Sequence, residues 1–242
     1  MSDDKIQKFS ERLSKAGQQE TQTIMASTVL MLRDSDAGLE TLMLKKNSKI
    51  AFGGMWVFPG GRIDDDDGQA GDSMELRARA AAAREAMEEV DLEVEAEAMQ
   101  WLSHWTPPEL GNRRYITWFF ATQAPEGAVT IDDGEIKASQ WLSPANALQK
   151  HRDGDIEIVP PTFVTLHYLS AFDSVAEALA EMAATEPRHY ATRIGASGDD
   201  LVAMWAGDAG YELGQADTEG ARHRLRMKQG GWIFEDSDAM SS

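Results

Sequence analysis

Ile6, Phe9 and Leu13 recur three and four residues apart in an otherwise polar stretch, the spacing of a short amphipathic helix over residues 3–16. From Thr23 to Leu32 the pattern changes to β-branched and apolar residues. RDSDAG then supplies turn chemistry and LETLMLKK follows, which predicts a hairpin. GGMWVFPGGRIDDDDGQAGDS, dense in Gly and Asp, predicts loop around a short apolar strand from Met55 to Phe58. Asp72 with Glu75 three residues later has the form of a capping box. Leu76, Ala80, Ala83, Met87 and Val90 then recur at helical spacing as far as Asp91, so a helix with one apolar stripe is expected.

Beyond that helix, LEVEAEAMQWLSHWTPP and RRYITWFFATQA read as strands, and GAVTIDDGEIKASQWLSP as turn and strand. PPTFVTLHYLSAFDSVAEALAEMAA reads as one long helix ended by Thr185, Glu186 and Pro187. In the tail, RHRLRMKQGGWIFED has the form of a hairpin turning at Gly230 and Gly231. There is no internal repeat. The expected organisation is a helical extension over residues 1–20, a main domain over 21–187, and a β-rich extension over 188–242 packed on that domain.

The 242 residues are 42% apolar and 26% charged, ordinary for a folded soluble chain. Lys and Arg number 23 against 41 Asp and Glu, a net charge of −18 that repels a polyanionic backbone. Nucleic acid is therefore not the expected partner. A small anionic ligand remains open, because a divalent cation or a few local Arg and Lys reverse the field inside a cleft. Without cysteine there is no disulfide, thiolate catalysis or Cys-ligated zinc. The N-terminal residues lack a signal-peptide apolar core, and no stretch approaches the 18 apolar residues of a membrane span. A cytoplasmic location without membrane contact is the expectation, with a homodimer as one arrangement open to the chain.

On the expected helix, Glu85, Glu88 and Glu89 stand at i, i+3 and i+4, so their carboxylates project from one face. Such crowding calls for neutralisation, by Arg84 or by a hard divalent cation such as Mg²⁺ or Mn²⁺. Three glutamates on an Ala-rich helix also describe a plain solvated face. Upstream, Phe58-Pro59-Gly60-Gly61 lets backbone approach closely.

FPGG followed by REAMEEVDL resembles the box of the Nudix hydrolase family, written G-x5-E-x7-R-E-U-x-E-E-x-G-U with U aliphatic. The resemblance implies an α/β fold, an α/β/α sandwich with a mixed sheet and a loop–helix–loop catalytic motif. Gly61 matches the opening glycine, and Arg84, Glu85, Glu88 and Glu89 match the R-E and E-E pairs. Asp91 stands where glycine is usual, and Gly61 lies about nine residues further from Arg84 than the pattern allows. Counting back from Arg84 lands on Leu76, next to Glu75, which is read as a helix cap before a ligand. The acidic insertion IDDDDGQAGD fails EF-hand spacing, so Asp64 is read as part of a solvated loop with metal contact as the alternative. Glu135, six residues before Trp141, is similar to a loop glutamate of the family that supplies a metal ligand or the general base.

The resemblance implies a pyrophosphohydrolase acting on a nucleoside-diphosphate-linked small molecule, with Glu85, Glu88, Glu89 and Glu135 holding Mg²⁺ or Mn²⁺. Glu88, Glu89 or Glu135 would take the proton of water and Arg84 would orient Glu85. Gly54-x3-FPGG and HWTPPELGNRRYITWFF, together with the box insertion, are similar to the peroxisomal-type coenzyme A diphosphatase branch, although Lys45-Lys46 stands for its Arg-Ser and Ile50 for a later Arg. That branch implies CoA or acyl-CoA as substrate, cleaved to 3′,5′-ADP and (acyl-)phosphopantetheine. On this resemblance Gly60, Gly61, Arg114 (or Arg113) and Trp105 line the substrate, Trp105 against adenine or the pantetheine arm. An ADP-ribose, NADH or dinucleoside-polyphosphate pyrophosphatase is the alternative within the family, and a catalytically silent sensing module the alternative outside catalysis.

Overall fold

The computed structural model describes residues 21–48, 52–109, 112–132, 134–228 and 230–237. The helix expected over residues 3–16 lies outside them. The chain divides into two compact units. One is formed by the described residues up to Ile24, by Trp105–Ile116 and by the residues from His189 onward, and the other by Met25–His104 and Thr117–Arg188.

The larger unit is built on a mixed sheet with helices, the α/β sandwich expected from the sequence. β1 (Gln22–Ser35) and β2 (Gly38–Lys46) form the predicted hairpin, with Ser35 opposite Gly38 and a positive φ of 91° at Gly38 that favours glycine. β3 (Trp56–Val57) pairs with β2, and β4 (Gly60–Arg62) pairs antiparallel with β1. β6 (Arg113–Gln123) lies beside β1 and β5 (Gln100–Thr106) beside β6, while β7 (Ile136–Leu142) runs antiparallel to β2. Leu30, Met31 and Leu32 on β1 and Leu42, Met43 and Leu44 on β2 are all inaccessible to solvent. Burial of consecutive residues means that both faces of these strands are covered, which is why the sequence there runs apolar without alternation.

The helix after the Gly- and Asp-rich loop, α1 (Met74–Val90), begins one residue later than the capping box implied. Ser73 is its cap, the hydroxyl accepting the Leu76 N–H at 3.3 Å, while Glu75 pairs with Arg79 instead. Asp91 closes it in the left-handed conformation, φ 56°, its N–H donating to Met87 O. The buried face is not the predicted stripe. Ala78, Ala81, Ala82, Ala86 and Val90 are buried, whereas Leu76 and Met87 are each 50% exposed. The reason is size: a face of methyl groups brings the helix axis close to the sheet, where longer side chains do not fit.

Three further elements depart from the sequence pattern. LEVEAEA forms no strand and ends in a 3-10 turn at Ala96–Ala98. A helix that periodicity missed, α2 (Pro144–Asp153), is capped by Ser143, carries Pro at its first turn and stops at Gly154 with φ 82°. The long helix expected after Val159 is two, α3 (Pro160–Leu169) and α4 (Val175–Ala184), because Ser174 starts a new helix by accepting the Glu177 N–H.

The smaller unit contains β8 (Arg188–Ala191) and a four-stranded antiparallel sheet in the order β12-β11-β10-β9, from β9 (Arg193–Ser197), β10 (Asp200–Met204), β11 (His223–Lys228) and β12 (Gly231–Asp236). The tail hairpin forms where the sequence placed it, with Lys228 opposite Gly231. The core of this unit is aromatic around the fully buried Trp205, which meets Trp105, Tyr190 and Phe234 at ring-centroid distances of 5.6, 5.3 and 6.1 Å. Among the described residues no helix is long and apolar enough to cross a membrane.

Candidate functional site

Gly60 and Gly61 sit on β4 opposite Thr28 and Ser27 of β1, and neither position has room for a side chain. A Cβ on Gly60, whose φ is 154°, would collide with the Ser27 carbonyl and with Thr28, and one on Gly61 would collide with the Glu85 carboxylate. The second collision shows how near α1 comes: the Glu85 side chain lies against bare backbone. The alanine face of α1 permits that approach, and the same turn of helix brings Glu89 down beside it.

Glu89 is 3% exposed, and its Oε2 accepts the Gly60 N–H at 2.9 Å. Its Oε1 is paired with the ammonium of Lys46, and Glu135 Oε2 stands 3.7 Å from the same ammonium. Burial pushes the Glu89 carboxyl above its ordinary range. Lys46 and the Gly60 N–H pull it back, while Glu135 adds to the rise. Lys46 reaches this place by strand alternation, two residues on from the buried Leu44 with the exposed Lys45 between them, while the facing β7 skips Lys137 in its pairing at this point.

Arg84 gathers the other carboxylates. Its Nη1 donates to Glu85 Oε1 at 2.9 Å and to Glu88 Oε2 at 3.2 Å, its Nη2 to Arg62 O at 3.0 Å, and Asp67 grips its Nε and Nη2 at 2.8 and 2.9 Å. Burial raises Asp67, but the Arg84 hydrogen bonds and the Asp64 N–H outweigh it and hold Asp67 below the usual carboxylate range. Glu85 goes the other way: burial pushes its carboxyl up, Arg84 offsets part of this, and Glu89 and Glu88 raise it further. Glu135 is placed by its loop. Asp132 accepts the Gly134 and Glu135 N–H groups, its own N–H donates to Glu89 O, and Asn47 N–H donates to Glu135 O at 2.7 Å.

Glu85, Glu88, Glu89 and Glu135 form an oxygen-only donor set, the chemistry that suits a hard divalent cation. In the arrangement described, the chain's own cations hold them, Arg84 on Glu85 and Glu88 and Lys46 on Glu89, and among the described residues no three acidic or histidine side chains are gathered on one point. The donor types therefore fit Mg²⁺ or Mn²⁺, and a cation entering here would replace Arg84 or Lys46 as the partner of at least one glutamate.

The residues singled out from sequence are thus distributed unequally. Arg84, Glu85, Glu88, Glu89, Glu135, Gly60 and Gly61 all belong to the larger unit and share the contacts above. Glu89 and Ala86, three residues apart on the helix, are both buried, so the acidic face runs into the packed one at Glu89. Asp64 faces Arg84, with Oδ2 3.8 Å from Nη2. Trp105 falls in the smaller unit, where it is 2% exposed and stacked on Tyr190 with centroids 4.0 Å apart and 9° between planes. Its ring packs into the aromatic core of that unit. Arg114, in the same unit, donates to Thr23 Oγ1 and is paired with Glu109, both at 3.0 Å.

Two residues escaped the sequence reading. Lys46 lies on the same side of strand alternation as Leu42 and Leu44, so period-2 counting points it inward. Asp67 stands six residues after Gly61, the position of the early acid in the box pattern. Counting forward from the glycine instead of back from Arg84 finds it, and places the extra residues between Asp67 and the helix.

The NUDIX domain family model matches residues 23–161 of the chain. A NUDIX hydrolase from Alicyclobacillus acidocaldarius is similar in structure with a TM-score of 0.58 and 19% sequence identity, covering 67% of this chain and 97% of that one. The NUDIX domain of Shewanella oneidensis NrtR complexed with ADP ribose is similar at 16% identity over 69% of this chain and 96% of its own, with a TM-score of 0.45. A C. elegans Ap4A hydrolase is similar at 20% identity over 61% of this chain and 96% of its own, with a TM-score of 0.41. At these identities the likeness is one of fold, and none of the three names the coenzyme A branch. No curated protein matches the chain.

Proposed function

The chain belongs to the NUDIX family, and on that premise we propose that it hydrolyses a phosphoanhydride bond of a nucleoside-diphosphate-linked small molecule at the Gly60–Gly61 site, with CoA or acyl-CoA as the first substrate to test. The observation that carries the reading is the convergence of Glu85 and Glu89 on glycine backbone, Glu85 against Gly61 and Glu89 on the Gly60 N–H. Carboxylates packed this tightly on side-chain-free backbone are fixed in direction, so that a cation they bind would stand at a set place over the loop.

Glu85, Glu88, Glu89 and Glu135 would hold Mg²⁺ or Mn²⁺, which when bound neutralises diphosphate charge and lowers the pKa of water. Water forms a new bond to one phosphorus as the bridging P–O bond breaks, giving two phosphate monoesters. Glu88, Glu89 or Glu135 takes the proton from water, the first and last being the exposed ones, with side chains 59% and 60% accessible. Arg84 fixes the direction of Glu85 and Glu88 through its Nη1. Gly60 and Gly61 are assigned to the diphosphate on the motif resemblance. Arg114 is assigned to a nucleotide phosphate on the motif resemblance alone.

The choice of CoA rests on Gly54-x3-FPGG, the Trp-Thr-Pro segment and the box insertion. The test is a screen of CoA, acyl-CoA, ADP-ribose, NADH and diadenosine polyphosphates with Mg²⁺ and an EDTA control, products identified by chromatography. Release of 3′,5′-ADP with a phosphopantetheine supports the CoA reading. AMP from ADP-ribose or NADH moves the substrate to that class, and no turnover on any compound leaves a ligand-sensing module.

A further inference from the structure

Lys46 is a basic side chain that the sequence assigned no part in the chemistry and that the fold places in the acidic cluster. Its side chain is 10% exposed, and it contacts carboxylates from two separate elements, Glu89 of α1 and Glu135 of the loop before β7. Strand alternation turns it inward, immediately after the outward-facing Lys45 and two residues on from the buried Leu44. Burying an ammonium is costly unless it is paired, and here it neutralises glutamates that already repel one another.

We propose that Lys46 is the resident counter-cation of this cluster: a divalent cation displaces its ammonium from Glu89 and Glu135, and the freed ammonium then takes an oxygen of the diphosphate. The proposal rests on the hydrolase reading above. The argument is one of exclusion between like charges. Glu89 Oε1 accepts Lys46 at hydrogen-bonding range, and a divalent cation on that oxygen would stand beside a positive charge with no water between them. Lys46 must move, and its four-carbon stem pivots from a fixed strand end. The negative charge that arrives with the cation is the diphosphate, and a mobile ammonium suits phosphate as a point charge.

The experiment measures Mn²⁺ binding to the full-length protein without substrate, by calorimetry and by the spin resonance of free Mn²⁺, in the wild type, Lys46→Met, Lys46→Gln and Lys46→Arg. Removing the competing charge is expected to tighten Mn²⁺ binding on the order of tenfold in the Met and Gln variants, while the Arg variant, which keeps the charge, stays near wild type. Turnover of the substrate found in the screen should show KM raised about tenfold in the Met and Gln variants with a smaller change in kcat, the pattern of lost uniform binding. If Lys46→Met does not fold, the comparison of Gln with Arg decides. Mn²⁺ affinity unchanged or weaker in both neutral variants overturns the assignment of Lys46 alone. A wild type that binds no Mn²⁺ overturns the functional reading itself.

Discussion

Asp67 accepts hydrogen bonds from Arg84 Nε at 2.8 Å and from Arg84 Nη2 at 2.9 Å, so the acid six residues after Gly61 holds the guanidinium on which Glu85 and Glu88 both depend. The loop is held to the helix in return. Arg77 donates to the Asp67 carbonyl at 3.1 Å and to the Asp64 carbonyl at 2.8 Å, and the Asp64 N–H donates to Asp67 Oδ2.

Asp67→Ala is therefore expected to lower kcat, by on the order of tenfold or more as Arg84 loses its fixed direction, and to cost about 2 kcal/mol of stability through the lost charge-assisted hydrogen bonds. Asp67→Asn, which keeps one acceptor, should fall between it and the wild type. Steady-state kinetics beside urea unfolding checks both; an Asp67→Ala protein with wild-type kcat would detach Asp67 from the chemistry.

Gly60 and Gly61 give different predictions although they are adjacent. Gly61→Ala pushes on the Glu85 carboxylate, a side chain that can shift, so turnover should drop by on the order of 10² with the fold retained. Gly60→Ala combines φ 154° with a collision against the Ser27 carbonyl, so it should lower the melting temperature as well. Thermal melts and kcat for both variants separate the two outcomes.

Much of this was legible in the sequence, and the failures share a physical cause. The β1–β2 hairpin, the helix carrying REAMEEV and the tail hairpin follow from apolar runs around a polar turn, helical spacing and paired glycines. The buried face of α1 did not, because a pattern search weights Leu76 and Met87 above alanine, whereas close packing against glycine backbone selects the alanines. The break at Ser174 and the helix after Ser143 are written in caps, Ser-Pro and Gly154, and not in periodicity. Lys46 and Asp67 were hidden for different reasons: a lysine among apolar strand residues reads as a surface end, and the insertion moved Asp67 out of step with the helix.

In the smaller unit, Asp208 and Arg224 form a buried bidentate pair, with Oδ1 2.5 Å from Nη2 and Oδ2 2.6 Å from Nε. Burial raises the Asp208 carboxyl, but Arg224 and the His223 and Gly210 N–H groups outweigh it and leave it below the ordinary carboxylate range. A depressed folded-state pKa stabilises the fold above the unfolded value, about 3.9, and that contribution is lost as pH falls through the lower folded value. Asp208→Ala should cost about 3–5 kcal/mol at pH 7 by leaving Arg224 buried without its partner. Denaturant unfolding of wild type and variant from pH 7 to pH 3 checks this, and the gap between them should narrow at the acid end. A constant gap would remove the ion pair from the acid sensitivity.

The central claim is that the glutamates over Gly60 and Gly61 perform metal-dependent phosphoanhydride hydrolysis, and the most direct measurement is Mg²⁺-dependent turnover of the best substrate by wild type, Glu88→Gln and Glu89→Gln, with circular dichroism to confirm folding. The account predicts turnover abolished by EDTA and kcat lowered on the order of 10² or more in each variant. Wild-type turnover in both folded variants, or turnover indifferent to EDTA, would contradict it.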